Sequence, residues 1–145
     1  MHSRGQGRNG NEMKNISKKK FYVLSFTYGL PMSIFGLIAC GFFKLCGKEI
    51  KKYGHAYYVE FGKGTSGLEL GWFFIVNKGT SDFLKRHELG HTYQNACIYG
   101  PIMPILGFVS LCRWCLKKIG AKIDYYKWFF EKQANEIGTA VMNDE

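Results

Sequence analysis

Residues 86–92, Arg86-His87-Glu88-Leu89-Gly90-His91-Thr92, decide how this chain is read. His-Glu-x-x-His is a metal site and a general base compressed into five positions. On a helix turning about 100° per residue, His87 and His91 lie about 40° apart and about 6 Å along the axis, so both imidazoles reach one ion. Glu88 falls about 60° around from His91. There it can hydrogen-bond a water without ligating the metal, the place of a general base in zinc hydrolysis. With four histidines among 145 residues, chance supplies about 0.006 such motifs per chain of this composition.

The flanks support a helix. Thr80, Ser81 and Asp82 are N-cap candidates, and Phe83, Leu84, Glu88 and His91 follow at helical spacing, so a helix is expected over Asp82 to Ile98. Gly90 costs such a helix about 1 kcal/mol against alanine, which points to close packing against its backbone. A zinc site needs a third protein ligand, to be found among His2, His55, the cysteines and the carboxylates. The segment Asp124 to Val141 has no proline and one late glycine and is expected to be helical. On it Glu131 lies one turn before Asn135, with Ala134 and Gly138 on the same face. Small residues there let this helix come close, so that Glu131 can close the zinc shell and the Asn135 amide can accept the outer N–H of a ligating histidine.

Three segments together resemble a known family: His87-Glu88-Leu89-Gly90-His91-Thr92-Tyr93-Gln94, Gly100-Pro101-Ile102-Met103-Pro104-Ile105-Leu106-Gly107, and Glu131-Lys132-Gln133-Ala134-Asn135. The family is one of short bacterial zinc-metallopeptidase-like proteins, and its late segment is like that of the gluzincin metallopeptidases. The resemblance runs from Gly67 to Gly138. It implies zinc on His87, His91 and Glu131, Glu88 as base and Asn135 behind a ligand. Leu89 stands where the family pattern has tyrosine, and Asn95 where it has serine; neither departure removes a ligand.

Length fits one domain, and 46% hydrophobic with 17% aromatic residues is enough for a core or a membrane face. Phe21 to Phe43 is 23 residues without a charge, long enough to cross about 30 Å of hydrocarbon, although Gly29 and Pro31 could divide it. A transmembrane segment over 21–46 is therefore expected, behind a disordered basic N-terminus, 1–20, and ahead of a metallopeptidase domain, 53–145. Lysines bracket the apolar run at both ends, which suits anionic lipid and a bacterial inner-membrane location. Leu37-Ile38-Ala39-Cys40 also resembles a lipoprotein cleavage box, with Cys40 as the lipidated residue. The net charge of +9 comes with no nucleic-acid module, so nucleic acid is not an expected partner.

Five cysteines, Cys40, Cys46, Cys97, Cys112 and Cys115, make no disulfide framework, and Cys112-Arg113-Trp114-Cys115 has no second pair to complete a zinc knuckle. Aromatic and β-branched runs at 55–61 and 68–76, separated by a Gly-rich linker, predict a β-hairpin whose edge could pair with an extended peptide. Ala96 to Cys112 is apolar but broken by Gly100, Pro101, Pro104 and Gly107, and is expected to rest on the membrane or re-enter it. Crossing once there would separate His91 from Glu131. Tyr93, Gln94 and His55 are candidates for oxyanion or substrate contacts.

The expected architecture is α+β: an N-terminal membrane helix, a β-hairpin, a metal helix and a C-terminal ligand helix in a minimal zincin-like core. The expected function is membrane-associated, zinc-dependent hydrolysis of peptide or protein substrates. Two rivals are a zinc-binding membrane module without catalysis and a membrane interaction protein without metal.

Overall fold

The computed structural model describes residues 16–64, 67–120 and 129–143. Of the N-terminus expected to be disordered, 1–20, residues 1–15 lie outside them, as do the first turns of the expected C-terminal helix, 124–128, whereas Lys18–Lys20 are not disordered but open the first helix, capped by Ser17. The fold is α+β: two N-terminal helices, α1 (Lys18–Ser25) and α2 (Leu30–Leu45), precede four strands, β1 (Lys51–Tyr53), β2 (Ala56–Lys63), β3 (Gly67–Leu70) and β4 (Phe73–Lys78). The metal-motif helix α3 (Asp82–Gln94) follows, then a wide π turn (Asn95–Tyr99), a short 3-10 turn (Gly100–Ile102), α4 (Met103–Lys118) and α5 (Phe129–Asn143).

The 23-residue apolar run is not one straight helix. Its two halves are bent by 102°, with Gly29 and Pro31 at the start of α2, as a residue without Cβ and a ring that cannot continue a helix require. Gly29 is also pressed against Asn95, whose Nδ2 donates to the Gly29 carbonyl at 3.2 Å, and Tyr28 Oη donates to the Ile98 carbonyl at 2.6 Å. The bend thus docks on the π turn, and Tyr28 satisfies a carbonyl there. Phe21 of α1 is fully buried, its ring 5.0 Å from that of Tyr93. Cleavage ahead of Cys40, the lipoprotein alternative, would strip Phe21 and Met32 from the two apolar cores.

The strands form one sheet in the order β1-β2-β4-β3. The expected hairpin between 55–61 and 68–76 is not what forms. Gly71, at φ +74°, reverses the second run in its middle, so Leu70 pairs with Phe73 and β3 lies antiparallel to β4. The first run makes its own tight hairpin back to β1 through Gly54 and pairs in parallel with β4, Tyr58 opposite Phe74. Adjacent residues are buried on both central strands, Tyr58 with Val59 and Phe73 with Phe74, so both faces of the sheet centre are covered. β3 is left as an edge.

The crossing of α3 and α5 sets the position of everything chemical. A Cβ on Gly90 would stand 1.9 Å from the Ala134 carbonyl oxygen, and one on Gly138 would stand 1.8 Å from that of Arg86. Backbone meets backbone at both points. Gly90→Ala or Gly138→Ala should therefore cost about 1–3 kcal/mol or more through overpacking. Gly41→Ala and Gly107→Ala, where nothing lies within 4 Å, should be neutral or stabilising by up to about 1 kcal/mol. Urea unfolding of the four variants measures the contrast.

Candidate metal centre

Ser81, in extended conformation, caps α3, and Asp82 holds Arg86 one turn on at 2.7 Å while accepting from Tyr53 Oη. This fixes the start of a helix whose second half, Leu89 to Gln94, is buried throughout. His87 and His91 project from one face with ring centroids 4.6 Å apart and Nε2 atoms 3.1 Å apart. Ligand atoms of His87, Glu88 and His91 all lie within 4.8 Å of one another, so this buried group could hold a metal ion.

Glu131 of α5 completes the arrangement. Its Oε2 is 2.6 Å from His87 Nε2 and 3.0 Å from His91 Nε2. Burial alone would raise the Glu131 carboxyl, but His91 and His87 outweigh it and hold it well below the usual range. Its other oxygen accepts from Ser110 Oγ of α4 at 2.7 Å.

The outer ring nitrogens are engaged too. His87 Nδ1 donates to Asn135 Oδ1 at 2.6 Å, the contact expected of that amide. His91 Nδ1 donates to Gln94 Oε1 at 2.7 Å. Gln94 cannot be turned round, because its Nε2 donates to the Phe130 carbonyl at 2.9 Å and to Gln133 Oε1 at 3.0 Å. Each imidazole thus carries its proton on the outside. Two Nε2 lone pairs and a carboxylate oxygen converge within 3.1 Å, three acceptors that only a cation between them, a proton or a metal, can reconcile.

The donor types suit zinc: three donors about 2.0–2.1 Å from a tetrahedral ion stand about 3.3 Å apart, so the three here, 2.6, 3.0 and 3.1 Å apart, would spread by about 0.2–0.7 Å to hold it. Glu88 lies beside the triangle and against the sheet. A Cβ on Gly67 of β3 would come within 2.9 Å of Glu88 Cγ, so only glycine leaves the side chain its place. Burial pushes the Glu88 carboxyl up to about 7, with His87 opposing and Glu131 adding to the rise.

Of the residues expected to meet substrate, Gln94 instead positions His91, its amide fully used inside the protein. Tyr93 is buried between Phe21 and His55, and His55 Nε2 donates to the Ile16 carbonyl, so both serve the joint between α1 and the sheet. Two residues of the site, Ser110 and Glu69, went unread in the sequence, and Gln94 was read as a substrate or oxyanion candidate and not as a partner of His91. Gln94 carried a usable signal, since three positions after His91 it returns to the same face. Ser110 carried none beyond being polar within an apolar helix. Glu69, buried on β3, accepts from the Gly71 N–H and is pushed well up by burial, with Glu88 adding to the rise. The five cysteines are all free thiols.

No family model, curated protein or solved structure matches this chain. The resemblance described above rests on its motifs alone.

Asn135→Ala, Gln94→Ala and Ser110→Ala should each weaken zinc binding about 10- to 100-fold, measured by chelator competition, while leaving all three donors in place. In metal-free protein the raised Glu88 carboxyl gives a pH signature. The folded state holds its proton to about 7 while the unfolded chain releases it near 4.5, so this group's contribution to stability declines as pH rises between those values. Glu88→Gln should remove that decline from unfolding curves recorded across pH 4 to about 8.

Proposed function

We propose that this chain is a membrane-associated zinc metallopeptidase, with His87, His91 and Glu131 holding the ion and Glu88 as general base. The observation that carries the reading is the convergence of two histidine lone pairs and a carboxylate oxygen on one buried point. Such a triangle with a second carboxylate beside it, Glu88, is the donor arrangement of a catalytic rather than a closed structural site. Zinc bound there supplies Lewis acidity, lowering the pKa of a water toward about 7 and polarising a peptide carbonyl.

The protein's own groups do the rest. Glu88 takes a proton from the attacking water and returns it to the leaving amine. Asn135 and Gln94 hold the two imidazoles in the tautomer that presents Nε2 inward. Ser110 holds the far oxygen of Glu131 and leaves Oε2 facing the histidines. The substrate has a track beside Glu88: among the described residues, β3 has a sheet neighbour on one side only, and its unpaired backbone edge offers an extended peptide antiparallel hydrogen bonds. The Gly67 backbone would lie closest to the scissile bond, because it abuts Glu88.

Metal analysis and a peptide-library assay test this together. Wild type should bind about one zinc per chain, and His87→Ala or His91→Ala should lose it. Glu88→Gln should keep zinc and fold but lose about 10²- to 10⁴-fold in rate, because an amide preserves shape without accepting the proton. Equal cellular function of wild type and Glu88→Gln, with loss in His91→Ala, would assign the zinc a structural role and end the peptidase reading.

A further inference from the structure

The continuous helical stretch Asp82–Lys118 is long and apolar enough to span a membrane, by length and composition. Its contacts show that it folds back instead. His91 and Ser110 both touch the carboxylate of Glu131, at 3.0 and 2.7 Å, so the chain leaves the metal centre at His91 and is back beside it at Ser110. A segment that crossed a bilayer between those positions would part them by about 30 Å. Nor does α2 suffice by itself, since its 16 residues reach about 24 Å.

Yet the apolar surface of these two helices is not covered by any of the described residues. Twelve of the nineteen large apolar side chains exposed among the described residues lie on α2 and α4. Phe35, Ile38 and Phe42 represent the outer face of α2, and Ile105, Phe108 and Leu111 that of α4, with Ile38 65% and Phe108 67% exposed. The inner faces are committed: Met32 of α2 and Met103 of α4 pack together on Phe130, and Ser110 meets Glu131. The helices are thus neighbours, with their apolar sides turned outward.

Charge says what this face meets. No aspartate or glutamate occurs between Met13 and Lys48 or between Leu89 and Ile123. Lysines cluster at the helix ends: Lys18, Lys19 and Lys20 open α1, Lys44 closes α2, and Lys117 and Lys118 close α4, all exposed. An apolar surface fringed by lysine and free of acids matches the hydrocarbon and headgroup layers of an anionic leaflet.

We infer that the joint outer face of α2 and α4 is a monotopic membrane seat, embedding the chain in one leaflet of an anionic bilayer without crossing it. The inference rests on the membrane association proposed above and puts this seat in place of the single N-terminal span expected from the sequence. The metal centre then lies just behind the seat, with α4 lipid-facing on one side and touching Glu131 on the other.

Flotation of full-length protein with vesicles tests it, using phosphatidylcholine with phosphatidylglycerol and phosphatidylcholine alone. Wild type should float with the anionic vesicles and bind the neutral ones at least tenfold less. The double variant Ile38→Glu/Phe108→Glu should lose binding at least tenfold with its zinc content unchanged. Phe61→Glu, at a half-exposed site on β2, should float like wild type. If the double variant does not fold, Ile38→Glu and Phe108→Glu taken singly carry the same expectation.

Tags at the two termini should be digested from the same side of the membrane. One tag digested and the other protected would overturn the monotopic seat, as would wild type that stays soluble beside vesicles, or a double variant that floats unchanged. A lipid-free dimer that the double variant dissociates, without flotation of wild type, would give the face to a second copy and likewise overturn it. Zinc content keeps the two readings apart: a chain that floats without zinc loses the peptidase and keeps the seat, and one that holds zinc without floating does the reverse.

Discussion

Two backbone contacts, Gly90 against Ala134 and Gly138 against Arg86, govern the rest of this structure. They bring the axes of α3 and α5 closer than any side chain on either face would allow. Helices packed through ordinary side chains lie about 8–10 Å apart, and smaller spacings need glycine or alanine at the contact. At this spacing the short Glu131 side chain reaches both histidines at once, and Asn135, one turn later, reaches the outer nitrogen of His87. A wider crossing would leave the carboxylate at one imidazole or at neither. The convergence of these side chains is therefore a consequence of two glycines that carry no chemistry.

The charged groups placed there are expensive to bury. Glu131, Glu88 and Glu69 are all nearly inaccessible to water, and an isolated carboxylate in such a place prefers to keep its proton. Their environments separate them. Glu131 has two imidazoles and a hydroxyl and stays ionised; Glu88 has His87 on one side and Glu131 on the other and titrates near neutrality; Glu69 has a single backbone N–H and stays protonated well into the usual carboxylate range and beyond. Three like side chains within one wall of the protein thus take three protonation states. A carboxylate held anionic and one that exchanges its proton near neutrality, as the proposed ligand and base would have to be, are made here by solvation and neighbours, not by residue type.

The parts of this arrangement that were legible in the sequence are those with a fixed helical period. His87, Glu88 and His91 announce themselves within five residues, and Glu131 with Asn135 repeats the logic two helices later. Gly90 was readable because glycine inside a helix needs a reason. Longer-range features were not legible. The run Leu68 to Val76 has the composition of a single strand, and only a left-handed turn at Gly71 makes it two, so the parallel pairing of β2 with β4 could not be read from alternation. Likewise the charge-free run Phe21 to Phe43 meets the length rule for a span. The rule counts residues and not the 102° bend at Gly29, which is fixed by Asn95 and Tyr28 contacts nearly 70 residues distant in the chain.

Helix α4 joins the two halves of the argument. Along most of its length it is a stripe of apolar side chains open to the outside, and a helix so exposed has no reason to be ordered by the protein alone. What ties it down is its inner face, where Met103 enters an apolar cluster with Met32 and Phe130 and Ser110 donates to Glu131. Phe130, the residue before the ligand, also stacks near His91 and offers its carbonyl to Gln94. The residues that seat α4 are therefore the same ones that hold Glu131 and one of the histidines in place. The contact of Ser110 with Glu131 and that of Met103 with Phe130 thus tie the inner face of α4 to the same buried cluster of side chains from which its outer face turns away.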